Sequence, residues 1–362
     1  MVKRYFLIAG EASGDRHAAA LMERLRQDDP QAVFCGLGGD RMAAAGCHLY
    51  QDYRRMAFMG FAAVLSNLEQ IRDNFRIARE ALLSERPDVL VLIDYPSFNL
   101  KMADYCRRHL PETKIIYYIP PKVWAWKRWR IHRIARLCDE VWAIFPFEPA
   151  YYARYGYQCT YVGNPTAVEV ERLMAKGERL AKKDDRQKTI AILPGSRRSE
   201  VSHCLPVMLE AARRMEGYRI VVTAAPGLDD TCYTPYLRPE EKLTRETYAA
   251  VQNAKAAIVN SGTATLETAL LGCPQVAVYH LACSWLIGLL RWAQPLVFHI
   301  RYFTLVNILA GKQVIRELVA NEFTADKIEA ELSRLLTDNL YRDNMLTEYR
   351  QIKAILQVKT NK

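Results

Sequence analysis

Tyr5-Phe6-Leu7-Ile8-Ala9 runs directly into Gly10-Glu11-Ala12-Ser13-Gly14-Asp15, and much later Thr189-Ile190-Ala191-Ile192-Leu193 runs into Pro194-Gly195-Ser196-Arg197-Arg198-Ser199-Glu200. Each stretch reads as a buried strand, a glycine-bearing turn and a helix start. Glycine lets the backbone turn sharply and approach a ligand, and a helix start offers unpaired N–H groups to an anion. The repetition predicts two nucleotide-type α/β domains facing one cleft.

Working outward, the first half alternates apolar runs and amphipathic segments, the signature of a parallel sheet covered on both faces. Strands are expected at 4–9, 32–36, 88–93, 114–119, 140–144 and 159–162. Helices are expected near 14–27, 61–84, 97–109, 126–137 and 147–154. After Gly163-Asn164-Pro165 the chain becomes highly charged, with Lys182-Lys183-Asp184-Asp185-Arg186 poor in core-forming residues. The pattern then restarts with strands at 188–193, 218–223, 256–260 and 275–279 and helices at 199–215, 245–254 and 263–271. This predicts a domain at 1–168, a linker at 169–187, a second doubly wound domain at 188–323 and a helical segment at 324–362. Pro226 to Leu243 carries no assignable pattern.

Two domains suit 362 residues, of which half are apolar and a quarter charged, as in an ordinary globular enzyme. The nine cysteines form no CxxC pair and no zinc-type cluster, which points to reduced thiols and the cytosol. The run Tyr5–Ala9 is too short for a signal-peptide core and meets Glu11 and Asp15 at once. No stretch reaches the roughly 18–20 apolar residues of a spanning helix; 281–300, broken by Arg291 and Gln294, could lie on a membrane but not cross it. The formal charge is +10, and from Lys101 to Arg136 ten Lys/Arg face only Asp104 and Glu112. An anionic neighbour is expected there.

Ligands of open α/β sheets bind beyond the carboxyl ends of strands, so four strand-end stretches are candidate sites. Gly10–Asp15 has the wrong glycine spacing for a dinucleotide fingerprint, and its acids would repel a pyrophosphate. A sugar suits it better, unless Ser13 or Asp15 merely caps the helix. Asp94, directly after Val89-Leu90-Val91-Leu92-Ile93, is placed either to take a proton from an attacking alcohol or to cap the helix opening at Pro96. Pro194-Gly195-Ser196-Arg197 reads as a compact phosphate site without a Walker lysine, or as a surface turn. Asn260-Ser261-Gly262-Thr263-Ala264-Thr265-Leu266-Glu267 could hold a diphosphate on its small-residue turn and a ribose diol on Glu267, against a plain capping arrangement. No Asp-x-Asp pair and no His cluster suggest a metal, so Arg197 and helix dipoles would neutralise a diphosphate leaving group.

Two segments have several readings. The stretch 122–133 mixes Trp124, Trp126 and Trp129 with Lys127, Arg128 and other cations; it fits a nucleic-acid surface, an interfacial membrane anchor, or an amphipathic helix with core tryptophans. Met59 to Ile71, with Phe61, Val64, Leu65 and Leu68, reads as a mostly buried helix whose exposed part would meet acyl chains.

The strand-end motifs, in their order and separation, resemble the lipid-A-disaccharide synthase family, glycosyltransferases of the two-domain GT-B type. The resemblance covers nearly the whole chain. It rests on Gly10–Asp15, Gly38-Gly39 with Met42, Met59-Gly60, Asp94-Tyr95-Pro96-Ser97-Phe98-Asn99, Val123–Trp126, Pro146-Phe147-Glu148, Leu193–Arg197 with Glu200, Ser261–Glu267 and Asn307–Gly311.

The resemblance implies transfer of a 2,3-diacylglucosamine unit from UDP-2,3-diacylglucosamine to the 6-hydroxyl of 2,3-diacylglucosamine 1-phosphate. The products are the β(1→6) lipid A disaccharide 1-phosphate, with inversion, and UDP. It implies Asp94 as base and Arg197 on the diphosphate, with Gly195, Ser196, Ser261, Gly262, Thr263, Ala264 and Glu267 around the rest of UDP. Glu11, Ser13, Gly14 and Asn99 would orient sugar, and Asn307 with Glu317 would complete the site. It further implies no metal cofactor, peripheral attachment to the cytoplasmic face of the inner membrane, and a homodimer with an exchanged C-terminal part. Two departures stand out: Pro120-Pro121-Lys122 where many relatives have Ser-Pro-Ser, and Gly163-Asn164-Pro165 where Gly-His-Pro is usual. Competing expectations are another UDP-sugar enzyme of the same fold, such as a peptidoglycan-precursor transferase or a UDP-N-acetylglucosamine epimerase, and a nucleic-acid-binding protein.

Overall fold

Runs of Val, Ile and Leu that are buried on both faces become parallel strands, because only a sheet covered by helices on each side hides every residue of such a run. The computed structural model describes residues 2–56, 68–175, 188–280 and 301–357. The chain divides into two compact units, Met1–Pro165 and Thr166–Lys362.

The first unit contains β1 (Arg4–Ala9), β2 (Val33–Gly38), β3 (His48–Asp52), β4 (Val89–Ile93), β5 (Lys114–Tyr118), β6 (Glu140–Ala143) and β7 (Thr160–Tyr161). They form one parallel sheet in the order β3-β2-β1-β4-β5-β6-β7. Side chains alternate between the faces. Phe6, Ile8, Leu90, Leu92, Ile115 and Tyr117 enter one core, while Tyr5, Leu7, Val89, Val91 and Ile116 enter the other.

The second unit contains β8 (Thr189–Leu193), β9 (Arg219–Thr223), β10 (Lys242–Thr244), β11 (Ala256–Asn260), β12 (Gln275–Tyr279) and β13 (Glu317–Val319), ordered β10-β9-β8-β11-β12-β13. Both sheets are therefore doubly wound, and in each the direction of winding reverses beside the first strand: between β1 and β4, and between β8 and β11. The crevice beyond the carboxyl ends of those strands is where ligands of such sheets bind. The helices Ala325–Thr337 and Asn339–Leu356 close the second unit; Arg214 donates to Asp326 and Glu329 at 2.6 and 2.8 Å, and Gln275 donates to the Tyr349 hydroxyl at 3.3 Å.

Three expectations need correction. Residues 169–175 are not linker but lie in the helix Pro165–Ala175, which buries Ala167 and Val170. Its charges sit on the outer face, which is why the stretch reads as linker. The basic helix begins at Arg130 rather than 126, since Lys127 has a left-handed φ of 51° that ends any helical run through it. The short edge strands β3, β10 and β13 and the helix Asp40–Ala44 had no sequence signal, because an edge strand covered on one side needs no continuous apolar run. Phe61, Val64, Leu65, the side chain of Leu68, residues 176–187 and the stretch 281–300 lie outside the described residues. No helix among those described is long and apolar enough to cross a membrane.

Candidate active site

At the reversal point of the first sheet, β4 is followed by Asp94 and Tyr95, two consecutive residues with left-handed φ values of 46° and 42°. Such a conformation is uncommon for residues with a Cβ and costs of order 1–3 kcal/mol each, so surrounding bonds must hold it. They do. The Asp94 amide donates to the Tyr118 carbonyl at 3.3 Å, and the Asp94 carbonyl accepts from Asn99 Nδ2 at 2.7 Å and from the Tyr117 hydroxyl at 2.8 Å. The Tyr95 ring lies over Gly10, where a Cβ would come within 2.3 Å of it, and the Tyr95 hydroxyl donates to the Met56 carbonyl at 2.6 Å. Gly10 is therefore required by close approach.

This turn brings the Asp94 carboxyl against Glu11 from the end of β1. Burial first, and then the Glu11 charge, push the Asp94 carboxyl up to about 7, opposed by the cation of Lys122. A carboxyl so poised can accept a proton near neutral pH, which an ordinary surface aspartate does poorly. Ser13 Oγ donates to Glu11 Oε1 at 3.1 Å. Asp94, Glu11 and Ser13 thus form one polar group, with Lys122 as its cation.

Other expected members of that group are placed differently. Asn99 has no exposed surface, and its Nδ2 donates to the Ile93 carbonyl at 3.1 Å as well as to Asp94. It cannot touch sugar; it holds the turn that presents Asp94. Gly14 is buried where a Cβ would meet that of Ala9 at 3.4 Å, so it packs the helix on β1 rather than contacting ligand. Asp15 accepts from the amides of Gly39, Arg41 and Met42 at 2.7, 3.0 and 3.0 Å, capping a neighbouring helix instead of its own.

Trp124 is also buried, its indole N–H donating to Glu148 Oε1 at 3.1 Å. Glu148 Oε2 accepts from the Phe145 amide at 3.1 Å, and burial pushes this carboxyl up to about 7. Trp124 is therefore core and not a lipid contact. Trp126 and Trp129, by contrast, are 47% and 58% exposed. Lys127 Nζ stands 4.1 Å from the Trp126 ring centre and the Arg130 guanidinium 5.8 Å from that of Trp129.

In the second unit the reversal point joins the ends of β8 and β11. Gly195 has a φ of 123°, and a Cβ on it would lie 2.5 Å from Glu200 Oε2 and 2.8 Å from Asn260 Nδ2. Only glycine fits where the two strand ends touch. Asn260 is buried, with its Oδ1 unpartnered. The donors expected to hold a diphosphate are engaged by Glu200, whose Oε2 accepts from the amides of Ser196 and Arg197 at 2.9 and 3.3 Å and whose Oε1 accepts from Arg197 Nη1 at 2.9 Å. The Glu200 carboxylate thus takes the donors that the sequence reading assigned to a diphosphate. The helix start has Arg197 at its N-cap and Glu200 three residues on, a spacing that lacks the serine or threonine of the usual capping box and so gives no sequence signal of its own.

Gly262 and Thr263, at the end of β11, are exposed, Ser261 and Ala264 are partly so, and Glu267, one turn on, accepts from the Tyr248 hydroxyl at 3.3 Å. Asn307 and Glu317 are bonded to each other and to the nearby backbone. Asn307 is fully buried, giving Nδ2 to Ile315 O and Glu317 Oε1 at 2.9 and 2.8 Å and taking the Val314 and Ile315 amides on Oδ1 at 2.7 and 3.0 Å. Glu317 Oε1 also accepts from the Thr304 amide and hydroxyl at 2.9 and 2.7 Å. The pair pins β13 to the loop before it. Among the described residues no group of three or more His, Cys, Asp or Glu is placed to hold a metal ion.

Comparison with known proteins gives a single answer. The family model for lipid-A-disaccharide synthetase matches residues 5–362. The lipid-A-disaccharide synthase of Geobacter sulfurreducens is 36% identical over 364 residues, covering 98% of this chain and 93% of its own length. Among solved structures, the calicheamicin glycosyltransferase CalG4 aligns with a TM-score of 0.58 at 14% identity, covering 98% and 95% of the two chains. The UDP-GlcNAc 2-epimerase of Neisseria meningitidis, bound to UDP-GlcNAc, aligns with a TM-score of 0.62 at 11% identity, covering 98% and 99%. At such identities the structures speak to the fold alone, which is GT-B.

Proposed function

The chain belongs to the lipid-A-disaccharide synthetase family, and we propose that it makes the lipid A disaccharide with Asp94 as the base that activates the acceptor. The protein is a glycosyltransferase of lipid A synthesis that uses a UDP-sugar donor and a lipid A precursor as acceptor. Asp94 takes the proton of the acceptor 6-hydroxyl as that oxygen attacks the anomeric carbon of UDP-2,3-diacylglucosamine. The bond from that carbon to the β-phosphate oxygen breaks on the opposite face, so configuration inverts and UDP leaves. The observation that carries this reading is the placement of the Asp94 carboxyl beyond the end of β4, in a left-handed turn beside Glu11, where burial and that charge push it upward.

Glu11 and Ser13 orient the acceptor sugar beside Asp94, and Asn99 positions Asp94 without touching substrate. In the second unit Arg197, Gly195 and Ser196 receive the diphosphate in place of the Glu200 carboxylate, with Ser261, Gly262, Thr263, Ala264 and Glu267 on the remaining UDP groups. The Arg197 fork and the helix starts neutralise the developing charge, so the transfer is proposed to need no metal. Exposed Trp126 and Trp129 among the cations Lys127, Arg128 and Arg130 support attachment to an anionic membrane surface, the cytoplasmic face of the inner membrane. The family resemblance supports a homodimer with an exchanged C-terminal part, which sedimentation of full-length and 324-truncated protein would test.

The function is tested by mixing purified protein with UDP-2,3-diacylglucosamine and 2,3-diacylglucosamine 1-phosphate in neutral detergent with a chelator present. Disaccharide 1-phosphate and UDP should appear in equal amounts. Efficient turnover of water-soluble UDP-N-acetylglucosamine instead would favour an epimerase or another transferase.

A further inference from the structure

We propose that Arg130 and Ser97 form the subsite that recognises the phosphate monoester on the acceptor sugar. The proposal rests on the acceptor assignment above and deepens it.

Ser97 is exposed and stands three residues after Asp94, in the first turn of the fourteen-residue helix Pro96–His109. Pro96 has no N–H, and the Ser97 and Phe98 amides of that turn have no carbonyl one turn back within the helix and lie at the positive end of its dipole. Arg130 reaches this turn from the start of the helix Arg130–Leu137, with Nη2 3.4 Å from Ser97 Oγ. That contact is long and uses one of five N–H donors. Arg130 Nε is buried without any hydrogen-bond partner, which is costly for a cationic donor. No carboxylate lies within ion-pair distance of Arg130 among the described residues, and the segment 122–136 contains six Lys/Arg and no Asp or Glu.

A second guanidinium adds to the deficit. Arg133 Nη2 donates to the Leu100 carbonyl at 3.3 Å, one turn further along the same helix. Burial and the Arg133 charge both lower the proton affinity of Arg130, the condition of a cation that lacks its counter-ion. The link to the reacting end is short: Tyr117, whose hydroxyl donates to the Asp94 carbonyl, is an electrostatic neighbour of Arg130. A sugar with its hydroxyl at Asp94 and a phosphate on its far side would satisfy the Arg130 fork, the Ser97 hydroxyl and the helix start together. A phosphate monoester supplies the several oxygens this donor set requires.

Two measurements test the subsite. Binding of glucosamine 1-phosphate and of glucosamine to the full chain is followed by titration, for wild type, Arg130→Lys and Arg130→Ala, with folding checked by circular dichroism. The expected result is that wild type prefers the phosphorylated sugar, that Arg130→Ala loses about 10- to 100-fold of that affinity, that Arg130→Lys loses less, and that weak glucosamine binding does not change. Equal binding of the two sugars by wild type, or equal loss for both sugars in Arg130→Ala, overturns the proposal. Disaccharide assays on the same preparations separate the two readings. If Arg130-dependent phosphate binding is found and no disaccharide forms, the subsite stands and the synthase assignment fails. If disaccharide forms and Arg130→Ala keeps full preference for the 1-phosphate acceptor over its 1-hydroxyl analogue, the subsite fails alone.

Discussion

Asn99 Nδ2 donates to the carbonyl oxygens of both Ile93 and Asp94, at 3.1 and 2.7 Å, from a position with no exposed surface. One buried carboxamide thereby closes the left-handed turn at the end of β4 and sets the direction in which the Asp94 carboxyl is presented. The relationship separates the residue that reacts from the residue that aims it.

Asn99→Ala should remove a donor from the Ile93 carbonyl and one of the two donors of the Asp94 carbonyl, which keeps the Tyr117 hydroxyl, destabilising the protein by about 1–2 kcal/mol. In the folded fraction kcat should fall about 10- to 100-fold with the KM of the UDP-sugar unchanged. Urea unfolding and steady-state kinetics check both. A raised acceptor KM with intact kcat would instead place Asn99 on the sugar.

The activity should rise with pH to a plateau, with a midpoint near 7, because Asp94 must lose its proton to serve as base. Glu11→Gln removes a charge that raises this group and should move the midpoint down; Lys122→Gln removes a cation that lowers it and should move the midpoint up. The pH profiles of kcat/KM for the three proteins measure this, and shifts in the same direction would contradict the electrostatic account.

Glu200→Gln keeps a hydrogen-bond acceptor for the Ser196 and Arg197 amides but removes a negative charge from the proposed diphosphate position. UDP should bind about two- to fivefold more tightly, a modest gain because the Arg197–Glu200 pair is partly exposed. Glu200→Ala should lose the capped turn and bind UDP more weakly. Calorimetric titration with UDP distinguishes the two.

The tryptophans should separate by burial. Trp126→Ala combined with Trp129→Ala should weaken binding to vesicles containing anionic phospholipid by about tenfold, leave the unfolding midpoint unchanged and reduce turnover of micellar substrate. Trp124→Ala should cost about 3 kcal/mol of stability, since it empties a core position and strips a bond from buried Glu148. Vesicle co-sedimentation and thermal unfolding report the two effects.

The fold was legible wherever a strand is buried on both faces. Val89–Ile93 and Ala256–Asn260 announce themselves as apolar runs, and the residue after such a run is a site candidate by position alone, which is how Asp94 and Ser261 stand out. His48–Asp52 and Lys242–Thr244 escaped because edge strands carry polar residues. What sequence could not supply was depth. Asn99, Asn307 and Trp124 have the side chains of contact residues, yet each is buried, with its N–H donors spent on nearby chain or, for Trp124, on Glu148. The engagement of Ser196 and Arg197 by Glu200 is local, yet with Arg197 at the N-cap it lacks the serine or threonine that marks a capped start, so the occupancy of those donors was not legible.

The account turns on Asp94, and the most direct test is disaccharide formation by wild type and Asp94→Asn under single-turnover conditions, with UDP affinity and thermal stability measured on the same samples. Because the Asp94 carboxyl holds its proton up to about 7 in the folded protein but only to its ordinary value of 3.8 when unfolded, its contribution to stability falls as the pH rises between those values. Asparagine also accepts a left-handed φ readily. The predicted result is that wild type forms the disaccharide, while Asp94→Asn loses at least about a thousandfold in rate, binds UDP as wild type does and melts about 3–6 °C higher at pH 8. Full turnover by Asp94→Asn, or no disaccharide from wild type, would contradict it.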